Sequence, residues 1–544
     1  MCGAHAGDVP FTMGVKVSVV VPIHNARSCL DACVESVLDQ SMPPEDYEVL
    51  FVDDGSTDGT SRLLDDLADR HPRVRVIHND PSGGPGRPRN NGVAAAEGDY
   101  VYFLDQDDRL APPALERLEA MARRCDSDIV IGKVVGHGGR GVPKSMFAAS
   151  RERADILADR LLGFMTPHKL FRTSFLRQHD LRFPEGPAWL EDHRMVVRAY
   201  LLAKTISVLA DDVCCHWIRL PGRAHHSARR FDPIAYYQAL REVLDIVDAH
   251  TEPGDERDQM YAYWYHAKML RLLTGRAFLG RPLRPSRYRH YRQIRRLALE
   301  RFSSGVDRFL PLSMRVRSRL LRAGAYGDIA RLTAAEHGLT IAASLDAVRW
   351  TGAGLVVEAS AHLVYADGAP VSFRRRGDRL LWEPPCALRT RLPDEAFDAT
   401  ALVRDSRLDV YLRCREDQGD YPLPTTSALV PEVGVREAIE GVDGSGTHLR
   451  MRASAHLDVW TAKLGRPLDA GTWDCFVRAE TCGWGPQRRL GRANGPLADS
   501  SAPAETRTLD GDAVAAVATD EVAVVQPYWT ALGNLSFRIS RPSR

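Results

Sequence analysis

The sequence contains no apolar run long enough to cross a lipid bilayer, which takes about 20 consecutive residues. The segment Met1 to Gly14 has neither a basic start nor an apolar core, so we expect a disordered N-terminus over residues 1–14 and no signal peptide. The ten cysteines show no metal-finger spacing, and reduced thiols are expected. These absences predict a cytoplasmic protein.

Two glycine-rich phosphate-binding signatures are also absent. The turn after the first predicted strand reads Pro22-Ile23-His24-Asn25-Ala26-Arg27, whereas a dinucleotide-binding Rossmann unit requires glycines there. No Walker-type loop with Gly-Lys-Ser or Gly-Lys-Thr occurs anywhere in the chain. The sequence therefore disfavours dehydrogenases and P-loop kinases.

Strands and helices alternate in the first part of the chain. Apolar runs predict strands at Lys16 to Val21, Glu48 to Val52 and Val74 to His78, and segments of helical periodicity separate them. This alternation predicts a parallel sheet with helices on both faces, in which ligands bind at the carboxyl ends of the strands. The length of 544 residues predicts about three or four domains in all.

A dense acidic cluster follows the next apolar run, which ends at Leu104. Asp105, Asp107 and Asp108 place three carboxylates where a buried strand should surface. Such oxygen ligands suit Mg2+ or Mn2+ beside a bound diphosphate. An acidic turn before the following helix would use the same residue type, so the cluster alone leaves both interpretations open.

Four motifs in succession resemble those of the family 2 glycosyltransferases of GT-A fold. They are Val21-Pro22-x-x-Asn25, Val52-Asp53-Asp54-Gly55-Ser56-Thr57-Asp58-Gly59-Thr60, Arg89-Asn90-Asn91-Gly92 and Phe103-Leu104-Asp105-Gln106-Asp107-Asp108. The resemblance extends from Lys16 to Phe231 and is strongest up to Val135. It implies an α/β domain of GT-A fold that binds a nucleotide sugar and catalyses metal-dependent transfer with inversion.

The resemblance also implies a donor site for a UDP-sugar. Asp54 is expected to accept a hydrogen bond from the uracil N3–H, Asp105 to hold the ribose, and Arg89 to reach a phosphate or the base edge as a forked donor. The full set of expected donor-binding residues is Pro22, His24, Asn25, Asp54, Arg89, Asp105 and Arg223.

The resemblance assigns the cation, Mn2+ or Mg2+, to Asp107. Asp108 is expected to support that ligand, and His226, in a later loop, could complete the coordination. Asp53 and Asp58 are expected instead to satisfy backbone amides in their turn.

The pair Glu191-Asp192 is expected to open a helix, and the resemblance makes Asp192 the general base. A carboxylate near an aromatic side chain and a second acid can have a raised affinity for protons, which suits a base. Glu191 is expected to orient it. Two acids at a helix start could also act only as caps, worth roughly 0.3 to 1 kcal/mol.

A strongly basic segment predicts a helical linker with a positive face. Over Lys268 to Arg322, Glu300 and Asp307 are the only acidic residues. The basic residues are Lys268, Arg271, Arg276, Arg281, Arg284, Arg287, Arg289, Arg292, Arg295, Arg296, Arg301, Arg308, Arg315, Arg317, Arg319 and Arg322. An anionic lipid surface or a phosphate-rich polymer fits this charge, and so does a solvated face paired with acids elsewhere. No recognition module for nucleic acid accompanies the charge, so no nucleic-acid partner is expected.

The C-terminal third contains a repeat. Ala359-Ser360-Ala361-His362-Leu363 recurs as Ala453-Ser454-Ala455-His456-Leu457, among short alternating segments bounded by turn residues. Two tandem β-sandwiches are predicted, over 333–430 and 431–544, after a GT-A domain (15–231) and a linker (232–332).

This domain order resembles that of the wall teichoic acid glycosyltransferases, whose C-terminal modules trimerise. The resemblance implies transfer of a sugar of the GlcNAc, glucose or galactose type to a hydroxyl of an anionic cell-wall polymer such as teichoic acid. It also implies a homo-oligomer, with a trimer as one option, and the basic linker would allow peripheral contact with the inner face of the membrane. Two alternatives stay open: transfer to a small or lipid-linked glycan, and an inactive carbohydrate-binding or assembly protein.

Overall fold

The computed structural model describes residues 14–220, 231–280, 284–352, 354–430, 447–491, 504–510 and 522–541. The chain divides into two units, Met1–His250 and Thr251–Arg544. The predicted disorder over residues 1–14 lies, apart from Gly14, outside the described residues. Within them, every helix is too short or too polar to cross a bilayer.

The first unit is built on one mixed sheet. Its strands are β1 (Val17–Ile23), β2 (Tyr47–Asp53), β3 (Val74–His78), β4 (Tyr100–Phe103), β5 (Arg109–Leu110), β6 (Ile129–Gly136), β7 (Leu170–Arg172) and β8 (Ile206–Trp217). Its helices are α1 (Asp31–Leu38), α2 (Thr60–Arg70), α3 (Gly86–Ala95), α4 (Ala114–Cys125), α5 (Thr173–Gln178), α6 (Glu191–Leu202) and α7 (Pro233–His250).

The strand order is β3-β2-β1-β4-β7-β6-β8-β5. The predicted parallel arrangement is confirmed for β3, β2, β1 and β4, whereas β7 runs antiparallel to both its neighbours. Strands β1 and β2 are buried along their whole length, which explains why they read as continuous apolar runs. Their carboxyl ends deliver the loops that begin at His24 and Asp54 to one edge.

The Arg89-Asn90-Asn91-Gly92 motif fixes α3 against this sheet. A Cβ on Gly92 would lie 2.3 Å from Val20 Cγ1, so only glycine lets the helix approach β1 this closely. Asn90 accepts from Phe183 N at 2.9 Å and donates to Phe183 O at 2.9 Å. The motif therefore holds the segment around Phe183, which is distant in sequence, beside the edge of the sheet.

The second unit begins with helices and ends in sheets. The helices are α8 (Asp255–Trp264), α9 (Gly275–Leu279), α10 (Arg284–Arg301), α11 (Leu312–Arg322), α12 (Tyr326–Ala335) and α13 (Thr400–Arg404). The strands are β9 (Thr340–Thr351), β10 (Gly354–Val364), β11 (Ser372–Arg376), β12 (Arg379–Glu383), β13 (Arg407–Cys414), β14 (Asp420–Pro422), β15 (Thr425–Val430), β16 (Thr447–His448), β17 (Arg450–Leu457), β18 (Gly471–Glu480), β19 (Gln487–Arg489), β20 (Arg507–Asp510), β21 (Val522–Trp529) and β22 (Leu535–Ser540).

These strands form three sheets. One has the order β15-β17-β10-β9, a second the order β12-β11-β16, and the third the order β14-β13-β18-β22-β21-β20 with β19 beside β18. The predicted order of an α/β domain, a helical linker and C-terminal β-sheets is confirmed.

The sheets cross the boundary that was predicted between residues 430 and 431. Strand β17 pairs antiparallel with β10, and β18 pairs with β13. The two copies of the repeat are therefore adjacent strands of one sheet, with Ala359 opposite Ala453. Both strands need one face of small apolar side chains to pair and pack, which accounts for their shared pattern without two separate domains.

The linker is helical, as predicted, but its positive face is smaller than the sequence suggests. Arg317 is fully buried and pairs with Glu336, and Arg319 pairs with Asp307. Arg295 and Arg322 donate to backbone carbonyl oxygens near helix ends. Much of the linker charge therefore stabilises the fold, because guanidinium groups satisfy carbonyls that a helix end leaves without partners.

Candidate active site

The carboxyl edge of β1 and β2 carries the side chains that were predicted to bind a base. Asp54 is buried, and its carboxylate accepts from Ser82 N at 3.0 Å and from Ser82 Oγ at 2.8 Å. His24 Nδ1 lies 3.0 Å from Asp54 O, and Asn25 Oδ1 accepts from Thr57 N at 2.8 Å. The motifs after the two strands thus interlock, while the Asp54 carboxylate keeps acceptor capacity beyond its bonds to Ser82.

Asp53 and Asp58 support the turn between β2 and α2. Asp53 accepts from Ser56 N at 3.1 Å and Ser61 Oγ at 2.6 Å, and Asp58 accepts from Arg27 N at 3.0 Å. Burial alone would raise the pKa of Asp53, but the hydrogen bonds from the two serines hold it below its usual range. These contacts agree with the predicted structural role of both residues.

Arg89 joins two carboxylates that were predicted for different tasks. Its Nη2 donates to Asp105 Oδ1 at 2.7 Å, and its Nη1 donates to Asp192 Oδ1 at 2.8 Å. The guanidinium is buried and lies 5.0 Å from the centre of the Phe183 ring. One forked cation therefore brings the predicted ribose carboxylate and the predicted base into a single site.

The electrostatic environment of Asp192 suits a general base. Burial raises its pKa to about 7, with Arg89 opposing the shift and Glu191 and Asp105 adding to it. The side chain still keeps 27% of its surface exposed, so a molecule from solvent can reach it. A carboxyl group with a pKa near neutrality can accept a proton and later release it.

The backbone before α6 is held in an unusual conformation. Leu190, directly before Glu191, has φ +53°, a left-handed value that a leucine rarely adopts. Trp189 contacts Phe231 and Tyr236 at centroid distances of 5.7 Å. Aromatic packing and the turn at Leu190 together fix the point from which the two acids project.

A second cluster lies behind Asp105. His168 Nε2 is 2.8 Å from Asp108 Oδ2 and 3.8 Å from Asp105 Oδ2, and Asp108 Oδ1 accepts from Ile218 N at 2.6 Å. His168 and Asp108 are both buried. Burial alone would lower the pKa of His168, but the bond to Asp108 raises it. One ligand atom from each of Asp105, Asp108 and His168 lies within 4.8 Å of the others, a spacing that could hold a cation.

This cluster differs from the predicted metal ligands. Asp107, the predicted ligand, is half-buried and is not part of the cluster. The cluster contains Asp108 and His168 beside Asp105. Arg223 and His226 lie outside the described residues. Sequence reasoning missed His168. It lies two residues before β7, but a lone histidine there does not reveal its partners.

The chain matches two family models. Residues 18–183 match glycosyl transferase family 2, and residues 233–333 match the glycosyl transferase TarS linker domain.

Two similar proteins are poly(ribitol-phosphate) glycosyltransferases. The beta-glucosyltransferase of Bacillus spizizenii is 36% identical over 43% of this chain and 37% of its own length. The beta-N-acetylglucosaminyltransferase TarS of Staphylococcus aureus is 33% identical over 46% of this chain and 43% of its own length. The chain thus matches less than half the length of either relative.

Solved structures of S. aureus TarS resemble the fold. TarS residues 1–349, crystallised in complex with UDP-GlcNAc, align with a TM-score of 0.53 and 25% identity over 65% of this chain and 98% of that one. A longer TarS structure aligns with a TM-score of 0.53 over 97% of this chain and 86% of that one. Because its identity is 19%, the second match supports only the similarity of fold.

Proposed function

We propose that this chain is an inverting, metal-dependent glycosyltransferase. It carries a glycosyl transferase family 2 domain followed by a TarS linker domain, and it is homologous to the TarS wall teichoic acid glycosyltransferases. The donor is a UDP-sugar of the GlcNAc, glucose or galactose type. The acceptor is a hydroxyl of an anionic cell-wall polymer of the poly(ribitol-phosphate) class.

The observation that carries this proposal is the bridge through Arg89. Its two nitrogens hold Asp105, on the donor side, and Asp192, on the acceptor side, at 2.7 and 2.8 Å. Transfer between a nucleotide sugar and an alcohol requires both functions at one place, because the anomeric carbon must meet the deprotonated hydroxyl. An acidic turn with a purely structural role would not require this convergence.

The reaction then follows from the residues. Asp192 takes the proton from the acceptor hydroxyl while the oxygen of that hydroxyl attacks the anomeric carbon. A bond forms between the two, the bond to the diphosphate oxygen breaks, and UDP departs with the electron pair. Attack from the face opposite the leaving group inverts the anomeric centre. Asp54, Pro22, His24 and Asn25 are proposed to hold the base.

The proposed cation ligands are Asp105, Asp108 and His168, with Asp107 as a further candidate. Two carboxylates and an imidazole form a donor set that Mn2+ accepts well, whereas Mg2+ favours oxygen ligands alone. Among the residues that the structure describes, the buried His168 Nδ1 has no hydrogen-bond partner, while Nε2 faces the two carboxylates. When bound, the cation would neutralise charge on the leaving diphosphate.

The deciding experiment compares Asp192→Asn with the unchanged protein. We expect transfer from a UDP-sugar to poly(ribitol phosphate) to fall by about 100-fold to 10,000-fold, because no group then takes the hydroxyl proton. Donor binding, measured as thermal stabilisation by UDP with Mn2+, should persist. Asp69→Asn, an exposed aspartate on α2, serves as the control and should transfer normally.

Three outcomes separate the candidate functions. Near-normal transfer by Asp192→Asn would remove Asp192 from the base role. Efficient transfer by the unchanged protein to a small or lipid-linked glycan, with none to the polymer, would favour the second acceptor class. No turnover of any UDP-sugar with Mn2+ would favour a carbohydrate-binding or assembly protein.

Assembly and location complete the proposal. A homo-oligomer, with a trimer as one option, and a cytoplasmic location at the inner face of the membrane fit an enzyme that modifies a wall polymer. Light scattering of the purified chain would test the oligomer.

A further inference from the structure

We propose that the exposed face of α10 is a docking surface for an anionic lipid bilayer. This face consists of Tyr288, Arg289, Arg292, Arg296 and Leu299. The inference concerns membrane contact alone and does not depend on the transferase reaction.

The charge of this face is not used by the fold. Arg289, Arg292 and Arg296 are exposed, and their spacing of three and four residues places them on one side of the helix. Within the described part of the chain, none of these three guanidinium groups makes a hydrogen bond or an ion pair. Elsewhere in the linker, arginines such as Arg295 and Arg317 are engaged by carbonyls or acids.

The same face carries apolar side chains that water does not favour. Leu299 is 51% exposed and Tyr288 is 49% exposed, and both are among the few large apolar side chains with such exposure in the described residues. At 100° per residue, both fall in the same sector as Arg292. The opposite side of the helix packs inward through the buried residues Ile294 and Leu297.

The combination fits a bilayer surface better than other polyanions. Arginines attract anionic headgroups while neighbouring apolar groups enter the boundary of the acyl chains. A soluble phosphate polymer would engage the arginines but gain nothing from Leu299. A second copy of the chain, docked face to face, would bring like charges together. The helix has 18 residues, a length of about 27 Å that can lie flat on a membrane.

The test is cosedimentation with vesicles of phosphatidylglycerol and phosphatidylcholine. The triple variant Arg289→Gln, Arg292→Gln, Arg296→Gln should bind about 100-fold more weakly, since each arginine near an anionic surface contributes about fivefold. A matched triple, Arg62→Gln, Arg153→Gln, Arg404→Gln, removes the same charge from other exposed sites and should bind like the unchanged protein.

Leu299→Ser distinguishes the bilayer from a soluble polyanion. We expect it to weaken vesicle binding about threefold to tenfold, because an apolar group no longer enters the interface, while binding to soluble polyphosphate stays the same. Because Leu299 is half-exposed, we expect this variant to fold normally. The proposal fails if the two triple variants bind vesicles equally, or if pure phosphatidylcholine binds as well as the anionic mixture. It also fails if Leu299→Ser leaves vesicle binding unchanged while the triple arginine variant of α10 no longer binds polyphosphate.

Discussion

At the scale of single residues, the proposed base role of Asp192 predicts that transfer depends on pH near neutrality. Its pKa is raised to about 7, chiefly by burial, and only the deprotonated form can accept the hydroxyl proton. The base is therefore present above pH 7 and is lost as the pH falls. We expect kcat/KM to rise about tenfold per pH unit on the acid side and to level above about pH 7. A flat profile from pH 5 to 8, measured with a buffer series at constant ionic strength, would contradict this assignment.

Arg89 should control that pH profile through its charge. The guanidinium lowers the pKa of Asp192 against the effect of burial. Arg89→Gln should therefore move the acid limb, the rising part of the curve of kcat/KM against pH, to higher pH and reduce turnover at pH 7. Arg89→Lys keeps the charge but cannot donate to both carboxylates in one plane. It should leave the limb near its original pH while lowering kcat. A purely structural arginine would instead change both variants alike, through lost stability, without moving the limb.

The sequence predicted single residues better than their contacts. The positions of Asp54, Asp105 and Asp192 beside element ends, and of Arg89 in the first turn of α3, follow from local patterns. The bridge through Arg89 does not, because Arg89 and Asp192 are 103 positions apart in the chain. Nor does the His168 cluster, since that side chain is separated from its acidic partners by about 60 positions.

At the scale of elements, Gly92 sets the distance between α3 and β1. A Cβ there would lie 2.3 Å from Val20 Cγ1 and 2.9 Å from Val20 Cγ2, so Gly92→Ala must displace the helix or the buried Val20 side chain. Overpacking costs typically 1 to 3 kcal/mol, and the better helix propensity of alanine offsets about 1 kcal/mol. We expect urea denaturation to show a net loss of up to about 2 kcal/mol.

A helical glycine with space around it provides the control. In α12, a Cβ on Gly327 would meet only Arg331 Nη1 at 3.8 Å, an ordinary contact. Gly327→Ala should therefore gain up to about 1 kcal/mol from helix propensity. Equal effects of the two substitutions would show that close packing at Gly92 does not limit the stability of α3.

Element types were read from the sequence more reliably than strand partners. The alternation of strands and helices before Val135 correctly predicted the parallel core, because each strand and its helix are neighbours in the chain. The repeat at Ala359 and Ala453 was a poorer guide. Similar alternating patterns serve two strands of one sheet as well as two domains, and long-range pairing decides between them.

At the scale of the whole molecule, charge is nearly balanced. The net charge of +1 over 544 residues gives no overall field that would steer a polyanion toward the protein. Attraction of the proposed anionic acceptor must therefore come from local groups on the protein, and such contacts are screened beyond about 8 Å at physiological salt.

This balance makes salt dependence a sensitive test of the acceptor class. If three phosphates of the polymer are neutralised on binding, the KM for poly(ribitol phosphate) should rise on the order of tenfold between 50 and 200 mM salt, since counterions compete for each contact. The KM for a neutral acceptor such as free ribitol, measured alongside, should change little. Hydrolysis of the UDP-sugar without acceptor controls for salt effects on the donor. Only the acceptor differs between the poly(ribitol phosphate) and ribitol series. If KM depended equally on salt in both, the charge dependence would lie in donor binding. A polyanionic acceptor held through its phosphates would then be excluded.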